Sequence, residues 1–450
     1  APNLIPGIIH DQYRQGRMSG GFNAPSLFLD IAGFTPLTER LMAEGKEGAE
    51  ILSGLVNGIF GPVIDAVYDH GGCITGFAGD AFTAVFPESP DGRAPCAAGR
   101  AIIELFRKQG LVQTRLGQFE LSVKIGVSSG NVSWGIAGTP DHKTYYFMGP
   151  AIDGCARAEH ECGSMEIVLD PLFQAAFDPA PFQVEPRSGG YSLLSGLSPV
   201  PPANAAPILD LDERVVRQFV PGVVLDNPQP GEFRNVASVF VGFRDPGDTA
   251  QIDRLSKTII ERSDAAACYF EGLDFGDKGC TTLFLFGVPT AYERELERAA
   301  EFALGLRREF GDRLRAGITF GTVFAGIKGG ARRSSYGVLG DTVNISARLM
   351  MKATWGEIWM PDAVADHLQN THDLEVAGTQ TLKGKSRPLA VSKLIRAKPA
   401  GREKLYTGVM VGRDDDLAIL NERARDLVEK KFCGISYIYG DAGMGKSRLA

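Results

Sequence analysis

The feature that most constrains this chain is that it repeats itself. Ser26-Leu-Phe-Leu-Asp30 has a counterpart in Ser238-Val-Phe-Val-Gly242. The run 79–86 matches 279–286 at a constant offset of 200. From Gly126 to Arg157 the offset is 191, reaching Gly317 to Arg348 without a gap. Three ordered, nearly gapless matches point to a duplication, so the chain must fold as two similar domains. The joint between them is visible as well. Residues 199–230 hold 7 of the 26 prolines, and such a stretch reads as a linker, neither helix nor central strand.

Each copy shows the same order of elements. An apolar strand (27–31 or 238–243) precedes a long stretch of helical periodicity, which in the first copy runs from Pro36 to about Tyr68. A hairpin follows (73–86 or 279–287), then an Ala-rich helix (95–108 or 292–310), a strand and a further helix. This predicts an α/β (α+β) class, two ferredoxin-like domains around mixed sheets. The expected boundaries are an N-terminal helical segment over 1–22, a first domain over 23–198, a linker over 199–231 and a second domain over 232–397. A third piece over 401–450 opens with an amphipathic helix (414–430) and a buried strand (434–439).

Composition narrows the function. A net charge of −7 advertises no nucleic-acid surface. The longest uncharged apolar-rich run, 51–64, has 14 residues and three glycines, short of a membrane span, so no membrane is expected. The seven cysteines form no CxxC pair, and no secretory signal is visible, which points to a reducing, cytoplasmic setting. The missing initiator Met and the end at Ala450 suggest a fragment.

Chemistry enters with two aspartates. Asp30 ends a strand, and Gly33-Phe34-Thr35 opens a helix beside it, where free N–H groups can meet phosphate. Asp80 sits at a hairpin tip, where Gly-Asp can also be no more than a turn. Two carboxylates on adjacent strand ends can hold hard cations, which prefer oxygen ligands.

The stretch 29–35, the Gly79-Asp80 hairpin and Val343-Asn344-Ile-Ser-Ala-Arg348 resemble the signatures of the class III adenylyl and guanylyl cyclases. The resemblance covers roughly 20–200 and 230–397. Two such domains in tandem, followed by a phosphate loop, resemble the soluble adenylyl cyclase subgroup and its bacterial relatives. It implies two Mg²⁺ or Mn²⁺ ions held by Asp30, Asp80 and the carbonyl of Ile31. It also implies that Asn344 orients the ribose and that Arg348 stabilises the transition state of ATP cyclisation. Asp30 aligns with Gly242, Asp80 with Cys280, and Asn344 with Asp153, whereas Arg348 keeps a counterpart in Arg157. One interface pocket is therefore expected to be complete and its pseudo-symmetric partner inert.

The same resemblance gives finer assignments. Lys385 matches a lysine that reaches the terminal phosphates, although an exposed solubilising lysine fits equally. Lys278 matches an adenine-reading lysine. The second adenine reader falls on Gly337, which leaves only backbone contacts there and keeps a guanylyl cyclase open. The bicarbonate-binding positions of the subgroup fall on Gly76 and Ala156, with Arg157 adjacent but turned by about 100° on an ideal helix, so bicarbonate activation is not expected. Gly440, Gly445, Lys446 and Ser447 complete a GxxxxGK[ST] phosphate loop of an ATPase module whose remainder lies outside this chain. A non-catalytic nucleotide sensor gating that ATPase is the third reading.

Overall fold

The computed structural model describes residues 3–114, 117–200, 208–226, 231–244, 246–276, 279–382, 387–399, 412–428, 434–439 and 449. It falls into two compact units, 1–397 and 398–450. The first opens with α1 (Gly7–Arg14), β1 (Ser19–Ala32), α2 (Phe34–Met42), α3 (Gly45–Asp69), β2 (Cys73–Ala78), β3 (Ala81–Val85) and α4 (Arg93–Gln109). A small hairpin, β4 (Leu111–Thr114) and β5 (Gly117–Glu120), precedes β6 (Ser122–Gly138), β7 (Lys143–Met148), α5 (Pro150–His160), β8 (Glu166–Leu169), α6 (Pro171–Ala176), β9 (Phe182–Pro186) and β10 (Ser192–Leu197).

Two short helices, α7 (Glu213–Val216) and α8 (Gly222–Asp226), lie in the proline-rich joint. The second copy follows as β11 (Glu232–Phe243), α9 (Thr249–Ala265), β12 (Tyr269–Gly276), β13 (Gly279–Phe286), α10 (Glu295–Phe310), β14 (Leu314–Gly329), β15 (Ser334–Leu339), α11 (Asp341–Lys352), β16 (Ile358–Pro361), α12 (Asp362–Leu368), β17 (His372–Gln380) and β18 (Leu389–Ala397).

The two sheets are copies in topology. The first runs β2-β3-β1-β6-β8-β10-β9 with β7 on β6, the second β12-β13-β11-β14-β16-β18-β17 with β15 on β14. Their registers reproduce the sequence offsets. Leu27 pairs with Ala84 and Val127, and its counterpart Val239 pairs with Phe284 and Ile318. The shared glycines have one cause: a Cβ at Gly126 would come within 2.1 Å of the Cys155 carbonyl, and one at Gly317 within 2.1 Å of the Ser346 carbonyl. Only glycine lets α5 and α11 lie that close on their strands.

The domains interlock. Phe324 and Leu339, from β14 and β15, sit in the core of the first domain, while Ala137 and Tyr146, from β6 and β7, sit in the core of the second. Gly329 N–H donates to Asn57 Oδ1 on α3 at 3.2 Å, and Arg332 pairs with Asp69 at 2.7 Å. In return His142 reaches Asp264 at 3.1 Å. Helix α3 is long and apolar enough to cross a membrane by length and composition alone. Its Leu52, Val56, Phe60, Ile64 and Val67 are buried in the first core, which accounts for that character.

Several expectations need correction. The first strand starts at Ser19, inside the expected N-terminal segment, because β6 is long enough to pair with it back to Gly135. The joint is not bare linker. Val215, Val216, Val220 and Val224 bury against Leu4 and Ile5, and Asp212 N–H donates to His10 Nε2 at 3.0 Å. Neither helix contains a proline, and Pro221 directly precedes α8.

In the second unit α13 (Asp414–Val428) is a helix as expected. Residues 434–439 form no strand, and Ile435, Tyr437 and Tyr439 are exposed. No described strand in that unit offers them a ladder. Gly440, Gly445, Lys446 and Ser447 lie outside the described residues, as do Lys278 and Lys385.

Candidate active site

Register brings the two aspartates together. Leu29 of β1 pairs with Phe82 of β3, and β3 leaves the two-residue turn Gly79-Asp80, closed by Ala78 opposite Ala81. Asp30 and Asp80 thus lie at one end of neighbouring strands. Burial, followed by the charge of Asp30, pushes the Asp80 carboxyl up to about 6. The Lys328 ammonium offsets that rise only in part, and a pair of like charges left acidic in a half-buried place is the observation that fits a divalent cation. Among the described residues no group of three or more His, Cys, Asp or Glu could hold a metal, so further ligands would have to be carbonyl, phosphate or water oxygens. Ile31 is buried directly after Asp30.

Gly33 then turns the chain into α2. Its φ is 101°, and a Cβ there would meet the Glu120 carbonyl at 2.5 Å. No side chain caps the helix, so the amides of Phe34 and Thr35 stay open for an anion.

The second domain supplies the opposite wall. Asn344 and Arg348 lie one turn apart on α11, both half-buried, and neither side chain makes a hydrogen bond or ion pair with a described residue. One cavity of about 270 Å³ follows the domain interface and is lined by Gly79 from the first domain and Asn344 from the second. Asp30, Asp80 and Arg348 are not themselves part of its lining. Leu4, Ile5, Phe219 and Val220 border it, so the N-terminal segment and the joint help to build its wall.

Two residues at this site escaped the sequence reading. A Cβ at Gly337 would come within 2.7 Å of Glu271 Oε1 and 3.9 Å of Lys328 Nζ. The space is therefore taken by the Glu271 carboxylate, with the Lys328 ammonium at ordinary contact distance, and the expectation of backbone contacts alone is corrected. Lys328 is 1% exposed, and its Nζ donates to the Gly79 carbonyl across the interface. Burial pushes the Glu271 carboxyl up and the Lys328 ammonium down, and each opposes the shift in the other. A lysine inside the apolar run Gly326-Ile-Lys-Gly329 was the available signal. Glu271 was hidden by a bulge between Phe270 and Leu273, which breaks simple alternation.

The pseudo-symmetric pocket is different. Gly242 and Cys280 stand where the aspartates would be, and Cys280 is buried. Tyr146 takes the place equivalent to Gly337 and packs on Phe275 with ring centroids 5.2 Å apart. Both rings are buried, and both also line the shared cavity, so aromatic side chains take up space on this side of it. Gly76 lines the shared cavity, Ala156 is buried, and Arg157 is exposed, which brings no cation to the bicarbonate positions.

The fold, two sheets of one topology with Asp30 and Asp80 on the first domain and Asn344 and Arg348 on the second, is that of paired cyclase homology domains. Residues 279–395 match the family model for the adenylate and guanylate cyclase catalytic domain. The curated relatives include human adenylate cyclase type 10, 25% identical over 388 residues, and an adenylate cyclase of Mycobacterium bovis, 31% identical over 116 residues. The first match covers 73% of this chain and the second 24%; the chain spans about a quarter of either relative. A class III adenylyl cyclase-like ATP-binding protein from Pseudomonas aeruginosa shares the fold, with a TM-score of 0.54 and 14% identity over 83% of this chain and 89% of its own.

Proposed function

We propose that the chain converts ATP to 3′,5′-cyclic AMP and pyrophosphate at the pocket between Asp30/Asp80 and Asn344/Arg348. The observation that carries this reading is the asymmetry. One pocket keeps two coupled carboxylates and, opposite them, an amide and a guanidinium without described partners. Its twin has Gly242 and Cys280, and the Tyr146 and Phe275 rings take up space there.

Asp30, Asp80 and the Ile31 carbonyl would hold two Mg²⁺ or Mn²⁺ ions. Such ions, when bound, lower the pKa of the ribose 3′-hydroxyl and neutralise the triphosphate. The open amides of Phe34 and Thr35 donate to phosphate oxygens. Asn344 orients the ribose so that its 3′-oxygen lies in line with the bond to be broken. That oxygen, its proton passed to solvent water, bonds to the α-phosphorus, the bond from the α-phosphorus to the bridging oxygen breaks, and pyrophosphate leaves with the electron pair. Arg348 faces the charge that grows on the α-phosphate, which stabilises the transition state more than the ground state. Lys385 would add charge at the terminal phosphates.

A second reading, cyclisation of GTP, is favoured by Glu271. A carboxylate accepts hydrogen bonds, and guanine offers an exocyclic amine donor that adenine lacks at that position. Lys278 supports ATP. Initial rates with ATP and with GTP, in wild type and in Glu271→Gln, test the choice. The expected result is a higher rate with ATP in both proteins. A higher rate with GTP that collapses in Glu271→Gln would reverse it.

A further inference from the structure

Lys328 is an ammonium group fully buried between two domains, and its surroundings are unusual in their direction. It belongs to β14 of the second domain, yet its hydrogen bond goes to the Gly79 carbonyl of the first. Asp80 and Glu271 are the two carboxylates whose charge reaches it, and its Nζ lies 5.8 Å from the centre of the Phe77 ring. Taking an ammonium out of water is costly, so it persists only where such partners converge. Gly337 leaves room for one of these partners, since a Cβ there would come within 2.7 Å of Glu271 Oε1.

Two further observations turn this contact toward function. First, nothing packs on the outer side of Gly79 in the turn it grips: a Cβ there would meet no atom within 4 Å. Second, the contact exists on one side only. The repeat counterpart of Lys328 is Ala137, which sits in the apolar core of the second domain. A fastening needed merely to pair the domains would have no reason to be confined to the pocket that retains the aspartates.

We propose that Lys328 is a positioning residue: reaching from the second domain, it holds the Gly79-Asp80 turn of the first, so that the Asp80 carboxylate is set for cation binding only when the domains are docked. This rests on the reading of Asp80 as a metal ligand given above. It makes metal affinity a property of the domain pair, and it couples the metal end of the pocket to its base end through Glu271.

The test uses the full chain with Lys328→Met, which keeps length and removes charge and donor. Two readouts are taken without nucleotide: hydrogen–deuterium exchange of peptides covering 73–86, and Mn²⁺ binding from the electron paramagnetic resonance signal of the free ion. Exchange in 73–86 should quicken and Mn²⁺ affinity should fall, each about tenfold, the scale of one charge-assisted hydrogen bond. Peptides covering 122–148 serve as the unchanged control. The sign is informative, because deleting a positive charge beside Asp80 would by Coulomb's law alone tighten Mn²⁺ binding. Equal or tighter binding, or unchanged exchange in 73–86, overturns the proposal. Should thermal melting show Lys328→Met to be unfolded, Lys328→Gln, with a shorter neutral donor, is read by the same two criteria. A wild-type protein that binds no Mn²⁺ through Asp80 removes the metal reading and the proposal with it. Wild-type binding that survives in the variant removes the proposal alone.

Discussion

Replacing Asp80 by asparagine should stabilise the metal-free protein while destroying its site. Burial and the Asp30 charge raise the Asp80 carboxyl from its ordinary value of 3.8 to about 6. A folded-state value above the unfolded one means that the folded protein binds the proton more tightly. Stability is therefore lost as pH rises from about 4 to about 6, and the loss is complete above that. At about 1.4 kcal/mol per pH unit the rise corresponds to about 3 kcal/mol, an upper figure because the side chain keeps some contact with water. Asp80→Asn removes the charge and keeps the shape. At pH 7.5 without metal it should gain about 1–3 kcal/mol, or several degrees in Tm at roughly 2–4 °C per kcal/mol for a domain of this size. At pH 4 the gain should vanish. Mn²⁺ should raise the Tm of the wild type and leave that of the variant unchanged, since only a ligand that binds the folded state stabilises it. Thermal melts at both pH values, with and without Mn²⁺, read all three effects. A variant less stable than wild type at pH 7.5, or one that responds equally to Mn²⁺, would refute the electrostatic reasoning.

Three other perturbations follow from the asymmetry of the pockets. Arg348→Ala should lower kcat and kcat/KM together by about 10²–10³, the loss of one transition-state donor. Arg157→Ala, at the same repeat position in the pseudo-symmetric pocket, should change the rate little in the same steady-state assay. Tyr146→Ala removes one of the buried rings there and should cost about 3–5 kcal/mol in denaturant unfolding, as for other large buried aromatic truncations.

The repeat made much of the fold legible. Offsets of 200 and 191 in the sequence return as strand registers, because a duplicated sheet keeps its pairing. The positions of Asp30, Asp80, Asn344 and Arg348 within their copies were legible for the same reason. What escaped was set by long-range contact. The joint folds because its valines find Leu4 and Ile5, more than 200 residues away in sequence, and local proline content says nothing of that. Lys328 and Glu271 meet only after the domains interlock and a bulge re-aims the glutamate, so neither stands out from its own strand. The apolar run 434–439 has strand character, but strand character without a neighbouring strand does not make a sheet.

The central claim is one working pocket built from both copies. Its most direct test is the formation of cyclic nucleotide from ATP with Mn²⁺ by the wild-type chain, by Asp30→Ala and by Arg348→Ala, and by the two variants mixed under conditions that do not exchange domains. The wild type should form 3′,5′-cyclic AMP, Asp30→Ala none, Arg348→Ala about 10²–10³-fold less, and the mixture no more than its components. A wild type without product, or an Asp30→Ala variant that keeps most of its rate, would contradict the account.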